Sequence, residues 1–153
     1  MGDLVYSGPK GASIPVEYVA NVIAQLMRAE TGSVQLDAAV YNMLGCDLIA
    51  SPTPGPCRRW PNGSVTRQRR VTTSIDAALA LSARAFPNGW LDLTILNGSS
   101  RAAQCFEGNR GYHSPRHSVP AIAVCIAILK ARTAGDEAGG GVNQALPTPP
   151  AEE

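Results

Sequence analysis

Aromatic residues are scarce in this chain of 153 residues, and long apolar runs are missing. Phe, Trp and Tyr together make up 5% of the sequence, so the core has to be built from Ala, Leu, Ile and Val. No run approaches the ~20 consecutive apolar residues that a membrane-spanning helix needs. The first residues, Met1 to Lys10, lack the apolar segment of a signal peptide. We therefore expect a cytoplasmic protein with no membrane partner.

The four cysteines form no C-x-x-C pair. They are Cys46, Cys57, Cys105 and Cys125. In the cytoplasm we expect all four thiols to be reduced. Cys125 falls within an apolar segment and should behave as a small core residue. Cys46 or Cys57 could be a reactive thiol, and Arg58 beside Cys57 would lower the pKa of the Cys57 thiol.

The sequence motifs of common enzymes are also missing. There is no G-x-x-x-x-G-K, no G-x-G-x-x-G after a strand and no G-x-S-x-G. His113 and His117 have the i, i+4 spacing of metal ligands, but Pro115 interrupts any helix between them. Asp92 and Glu107 could approach each other across a hairpin, although no cleft is evident around them. We therefore expect no enzyme activity, no catalytic residue, no metal and no cofactor.

Hydrophobic periodicity predicts four helices. The last of them is apolar nearly all round, which is typical of a buried helix. The expected helices are Ile14 to Thr31, Ser33 to Cys46, a helix from the cap Thr73 to the break at Pro87, and Val119 to Lys130.

Alternating side chains predict a strand at Trp90 to Leu96, and the turn signal that follows leads into a partner strand at Arg101 to Glu107. Between Asp47 and Val71, several prolines exclude a helix, and one edge strand is expected at Gln68 to Thr72. The fold class is therefore α/β, and α+β in detail. We expect a small, mostly antiparallel sheet sandwiched by helices in α-β-α layers.

Charge and composition divide the chain into three parts. We expect a flexible leader over residues 1–12, a single α-β-α domain over residues 13–133 and a disordered Pro- and Gly-rich tail over residues 134–153. The tail carries four carboxylates and no basic side chain, so the other residues hold 13 basic against eight acidic groups. This balance of +5 is mild compared with that of dedicated nucleic-acid binders.

The candidate binding site is a basic loop with five arginines within thirteen residues and no acidic residue between Asp47 and Asp76. Arginine suits bidentate recognition of phosphate or carboxylate, and an exposed tryptophan among the arginines could stack on a partner. The alternative is a solvated loop whose charges only confer solubility. The predicted anion- or partner-binding residues are Arg58, Arg59, Trp60, Arg67, Arg69 and Arg70.

Three segments together resemble the phage ABA sandwich domain, a family of small proteins encoded by phages and prophages. They are Leu36-Asp37-Ala38-Ala39-Val40 running to Leu44-Gly45, Val71 to Leu79 followed by Gly89-Trp90, and Val119 to Ala123 leading to Ala127 to Ala131. The match spans about Leu36 to Arg132. The resemblance implies an α-β-α layered fold, and it supplies no established activity or catalytic residue.

The leading hypothesis is a non-enzymatic accessory protein of a phage or prophage in the host cytoplasm. It would bind a host or viral macromolecule, protein or nucleic acid, through the basic loop, and countering a host defence is one such role. A second hypothesis is a small-anion or nucleotide-binding module that also uses the N–H groups of a helix start at Ser74 or Ser118. A third is a structural or assembly protein of the virion, a homo-oligomer with the first helix packed between subunits.

Overall fold

The computed structural model of the protein describes residues 16–51, 54–105 and 111–138. Within these ranges the chain forms four helices and six strands, and the predicted mixed α+β class is confirmed. The elements in chain order are α1 (Val16–Arg28), α2 (Val34–Met43), β1 (Asp47–Ile49), β2 (Cys57–Arg59), β3 (Val65–Arg67), α3 (Ile75–Ala85), β4 (Trp90–Leu96), β5 (Ser99–Cys105), β6 (Gly111–His113) and α4 (Pro120–Ala138).

The strands form two antiparallel three-stranded sheets, β1-β2-β3 and β4-β5-β6, where the sequence predicts a single sheet. The expected edge strand at Gln68 to Thr72 is wrong, and β3 ends at Arg67. The physical reason is that helix α2 supplies the partners of this backbone. The N–H of Arg69 donates to the Tyr41 hydroxyl, and the N–H of Thr72 donates to the Asp37 carboxylate.

A tight hairpin joins β4 and β5. Asn97 and Gly98 both have positive φ angles, 52° and 74°. These values are typical of a type I′ turn, whose twist matches that of the flanking strands. The strand at Trp90–Leu96 is confirmed, but β5 begins at Ser99 because the turn uses two residues rather than four.

Helix α4 is the centre of the core, as its uniformly apolar sequence predicts. Residues 121–129 are each at most 1% exposed. The helix contacts α1, α2 and α3 and all three strands of the second sheet. It continues to Ala138, beyond the predicted end at Lys130, so residues 134–138 are helical rather than part of a disordered tail. The rest of the tail and the leader at residues 1–12 lie outside the described residues.

Within the described residues, helices cover one face of the second sheet and leave the other face open. Leu91 and Leu93 are half-buried on the face that packs on α4. On the opposite face Asp92, Thr94 and Arg101 are exposed. Alternation of apolar and polar side chains allows an antiparallel sheet to face solvent on one side. In the described residues the second sheet therefore has helices on one face, whereas the predicted α-β-α layers place helices on both faces of a single sheet.

A buried carboxylate connects the α1–α2 corner to the start of α3. Asp37 is fully buried and accepts hydrogen bonds from the Thr72 N–H (2.8 Å), the Thr72 hydroxyl (2.5 Å) and Arg70 Nε (3.0 Å). The Ser33 N–H donates to the same Thr72 hydroxyl. Gly32 lies so close that a Cβ atom there would be 2.1 Å from the Thr72 carbonyl oxygen. The corner therefore requires glycine and holds the Arg70–Thr72 backbone in place.

Replacing Asp37 with alanine is expected to destabilise the protein by about 2–4 kcal/mol, because it leaves the Thr72 N–H buried without an acceptor. The matched control is Asp76→Ala in the exposed first turn of α3, where loss of a helix-dipole interaction costs under about 1 kcal/mol. Urea denaturation monitored by circular dichroism measures both free energies of unfolding. Equal values for the two variants would contradict the role of Asp37.

Candidate functional site

Arg58 lies inside the protein rather than in an exposed loop. Its side chain is 2% exposed, and its guanidinium donates to Gln68 Oε1 (2.7 Å), Asn42 Oδ1 (2.6 Å) and the Cys46 carbonyl (3.1 Å). The same group lies 5.7 Å from the centroid of the Tyr41 ring, within cation–π range. Burial lowers the pKa of Arg58 from its ordinary value. Arg58 is therefore a structural residue, and its assignment to a binding surface is wrong.

Trp60 is also a core residue, so the prediction of an exposed stacking platform is wrong. Its exposed fraction is 8%, and its ring packs edge-on against Tyr41 with the centroids 6.3 Å apart. The indole N–H donates to the Thr66 hydroxyl across the β2–β3 hairpin. Arg84 of α3 lies over the ring at 5.3 Å from its centroid. The contact between Arg84 and Trp60 has no signal in the sequence, because it joins positions 24 residues apart.

Two guanidinium groups meet the C-terminal end of α2. Arg132 of α4 donates to the Leu44 carbonyl (3.1 Å), and Arg58 donates to the Cys46 carbonyl. A cation at the Leu44 carbonyl is favourable because the last carbonyls of a helix lack intrahelical donors and carry the negative end of the dipole. The Cys46 carbonyl lies two residues beyond this helix cap. Burial nevertheless raises the pKa of the Cys46 thiol to about 12. Cys46 is therefore protonated at neutral pH, and its assignment as a reactive thiol is not supported.

The other four predicted residues, Arg59, Arg67, Arg69 and Arg70, are exposed. In the β2–β3 register Arg59 pairs with Val65 and Cys57 pairs with Arg67, which places Arg59 and Arg67 diagonally on one face of the sheet. Arg67 donates to the Pro54 carbonyl (2.6 Å). Arg70 forms an ion pair with Asp37, although its side chain remains 56% exposed.

The four exposed arginines are together called here the arginine face, and this set has acidic neighbours. Asp47 of β1 lies directly opposite Arg59 in the register of the first sheet. Opposite charges at such positions attract each other. The absence of acidic residues from the sequence between Asp47 and Asp76 therefore does not make the folded surface purely basic.

Hydrogen bonds to other parts of the chain fix the backbone that carries the arginine face. The Gln68 N–H donates to the Pro56 carbonyl, and the Arg69 N–H donates to the Tyr41 hydroxyl. Val71 is fully buried, and its carbonyl accepts from the Cys125 thiol of α4. The exposed arginines are therefore carried on an ordered segment.

The remaining cysteines divide by burial. Cys105 and Cys125 are buried, as expected for Cys125, and Cys57 is half-buried. Burial raises the pKa of the Cys125 thiol above its ordinary range. Cys57 and Arg58 point to opposite faces of β2, as successive strand residues do, so Arg58 is not positioned beside the Cys57 thiol.

The two histidines do not lie in a shared site. His117 is buried, with Nε2 donating to the Leu26 carbonyl and Nδ1 accepting from the Val119 N–H. His113 is exposed and borders a shallow groove of about 280 Å³ on the open sheet face, together with Asp92, Thr94 and Arg101. Among the described side chains, no three metal-ligating groups lie close enough to hold an ion.

Ser74 and the apolar face of α1, both named in the alternative hypotheses, have structural roles. The Ser74 hydroxyl accepts from the Ala77 N–H and so caps α3 itself, one residue after the predicted cap Thr73. On α1, Val19, Val22 and Leu26 are buried within their own chain, so this apolar face is not available for a second subunit.

Comparison with protein-family models, with curated proteins and with solved structures finds no match to this chain. The resemblance to the phage ABA sandwich family therefore stays a prediction. In the part of the chain that the structure describes, no helix combines the length and the hydropathy needed to cross a membrane.

Arg58→Ala is expected to lower the free energy of unfolding by about 2–4 kcal/mol, because three acceptors lose their donor. Arg59→Ala, the adjacent exposed position, should cost under about 1 kcal/mol. Arg58→Lys should recover part of the loss, since an ammonium lacks the fork geometry that reaches all three oxygens. Chemical denaturation of the three variants checks this order, and a larger loss for Arg59→Ala would overturn it.

Cys57 is expected to react first with iodoacetamide at neutral pH, because the Cys46 and Cys125 thiols are buried and have raised pKa values. Peptide mass spectrometry after timed alkylation measures the modification of each thiol. All four should react after denaturation in guanidinium chloride. Modification of Cys46 as fast as that of Cys57 in the native protein would contradict the burial described above.

Proposed function

We propose that this protein is a non-enzymatic binding module, an accessory protein of a phage or prophage, that binds an acidic surface of a host or viral protein through the arginine face. The observation that carries the proposal is the division of the arginine cluster. Arg58 is buried in the interior, whereas four arginines are exposed at the surface, namely Arg59, Arg67, Arg69 and Arg70. The phage origin rests on the family resemblance alone.

Order in the supporting segment favours recognition over mere solubility. The backbone of residues 68–72 is bonded to the Pro56 carbonyl, the Tyr41 hydroxyl and the Asp37 carboxylate. Binding to a segment that is already ordered avoids part of the entropy cost of association. Solubility alone would require only exposed charge, with no such anchoring.

The burial of Trp60 favours a protein partner over single-stranded nucleic acid. Sequence-tolerant binders of single strands stack bases on exposed aromatic rings, and Trp60 is only 8% exposed. The exposed groups that remain are guanidiniums, which bind carboxylates in a bidentate geometry. The mild positive balance of the chain also falls short of that of dedicated nucleic-acid binders.

The test measures binding of a fluorescently labelled acidic peptide, a 15-residue alternation of Glu and Gly, by fluorescence anisotropy at low ionic strength. The variant Arg59→Ser/Arg67→Ser/Arg69→Ser should weaken binding at least tenfold. It leaves Arg58 and Arg70 in place, so circular dichroism should show an intact fold. A labelled oligonucleotide of matched length and ATP serve as competing probes for the nucleic-acid and small-anion alternatives.

The matched control is Arg28→Ser/Arg101→Ser/Arg116→Ser, which removes three exposed arginines elsewhere and changes the net charge by the same amount. This control should bind the peptide like the unmodified protein. Equal weakening in both triple variants would show a general charge effect and contradict a defined surface. Preferential binding of the oligonucleotide or of ATP would assign the arginine face to one of the other two ligands.

A further inference from the structure

Strand β4 forms an edge of the second sheet, and among the residues that the structure describes no strand covers that edge. In the described part of the chain, β5 is the only strand that pairs with it. It is seven residues long, pairs with β5 without a bulge and contains neither Pro nor Lys. Natural proteins usually protect edge strands with a bulge, a proline or a lysine. Trp90, Ile95 and Leu96 on this strand are each more than half exposed.

Hydrogen bonds on the far side of β5 identify the β4 backbone groups that point outward. Ser100 exchanges both of its backbone hydrogen bonds with His117, and the Ala102 carbonyl accepts from the Ser114 N–H. The backbone N–H and C=O groups of Ser100 and Ala102 therefore point away from β4. Their partners on β4 are Ile95 and Leu93. In an antiparallel ladder such pairs alternate with bonded pairs. The N–H and C=O groups of residues 91, 93 and 95 consequently point to the open edge.

We propose that a second copy of this chain pairs antiparallel with this edge, with the two-fold axis at Leu93. The two sheets would then join into one continuous sheet of six strands. This arrangement places Leu93 opposite Leu93 of the partner subunit and Leu91 opposite Ile95 of the partner subunit. It uses the outward N–H and C=O groups of residues 91, 93 and 95. The inference is independent of the proposed function of the arginine face.

The side chains of β4 are complementary to themselves in this register. Trp90 would lie opposite Leu96 of the partner subunit, so two of the most exposed apolar side chains would cover each other. Asp92, the one charged residue of the strand, would lie opposite Thr94 of the partner subunit. Thr94 is itself the cross-strand partner of Arg101, which adds a nearby positive charge.

Neighbouring registers are less favourable. Moving the two-fold axis to Asp92 would place two carboxylates opposite each other, and like charges there are destabilising. Moving it to Thr94 would leave Trp90 without a partner on the strand. An axis at Leu93 is the arrangement that pairs all seven residues. Edge pairing of this length buries less than the ~1,600 Å² of a standard interface, so we expect a monomer–dimer equilibrium that depends on concentration.

The test is sedimentation velocity of the full chain over a hundredfold range of concentration, with two substitutions of opposite charge at Thr94. Thr94→Lys places an ammonium opposite Asp92 of the partner subunit, so the dimer should persist or tighten. Thr94→Asp places carboxylates opposite each other twice, so the dissociation constant should rise at least tenfold. Val65→Asp, on the exposed edge strand β3 of the other sheet, should leave the dimer unchanged.

A charge exchange tests the register itself. Asp92→Lys mixed with Thr94→Asp places a lysine opposite an aspartate in the mixed pair, so mixing should recover dimer that Thr94→Asp alone loses. Circular dichroism confirms that each variant is folded. A monomeric unmodified protein across the whole concentration range would overturn the proposal. So would identical association of the two Thr94 variants, or equal loss of dimer in Val65→Asp.

Discussion

Burial of helix α4 is the constraint on which the other elements depend. Residues 121–129 are at most 1% exposed, so neighbours have to cover every side of the helix. Helices α1, α2 and α3 and the second sheet supply that cover. Removing apolar surface from water contributes about 25 cal/mol per Å² and is the main favourable term in folding. With few aromatic residues available, small and branched aliphatic side chains allow this close packing on all sides.

The first sheet is organised differently, around polar contacts. The Pro-rich region supplies three strands of only three residues each, and such short strands give little backbone pairing of their own. Arg58 connects β2 to Asn42, Gln68 and the Cys46 carbonyl, and Trp60 connects it to Thr66. A buried cation with neutral acceptors is costly unless its donors are satisfied. The interior arginine and tryptophan thereby orient a surface that carries the exposed arginines.

Features that depend on neighbouring residues can be predicted from the sequence, whereas features that depend on contacts between distant residues cannot. The strand at Trp90–Leu96 and the course of α2 and α3 are local patterns of apolar and polar residues, and the structure reproduces them within a few positions. Ser74 and Thr73 are both good N-cap residues by type. The choice between them depends on the backbone conformation that the fold gives each residue, and Ser74 has the extended conformation of a cap. The groups that meet Arg58 lie 10 to 16 residues away, which no local pattern records.

The sequence by itself determined the mixed class, the interior helix and the presence of an arginine-rich segment, because hydrophobic period and composition act locally. Only the tertiary structure decided which arginines are exposed, because neighbouring residues on a strand point to opposite faces and burial depends on what packs there. It also decided that the strands divide into two sheets. The edge of β4 remains open because no strand in the described part of the chain lies beside it.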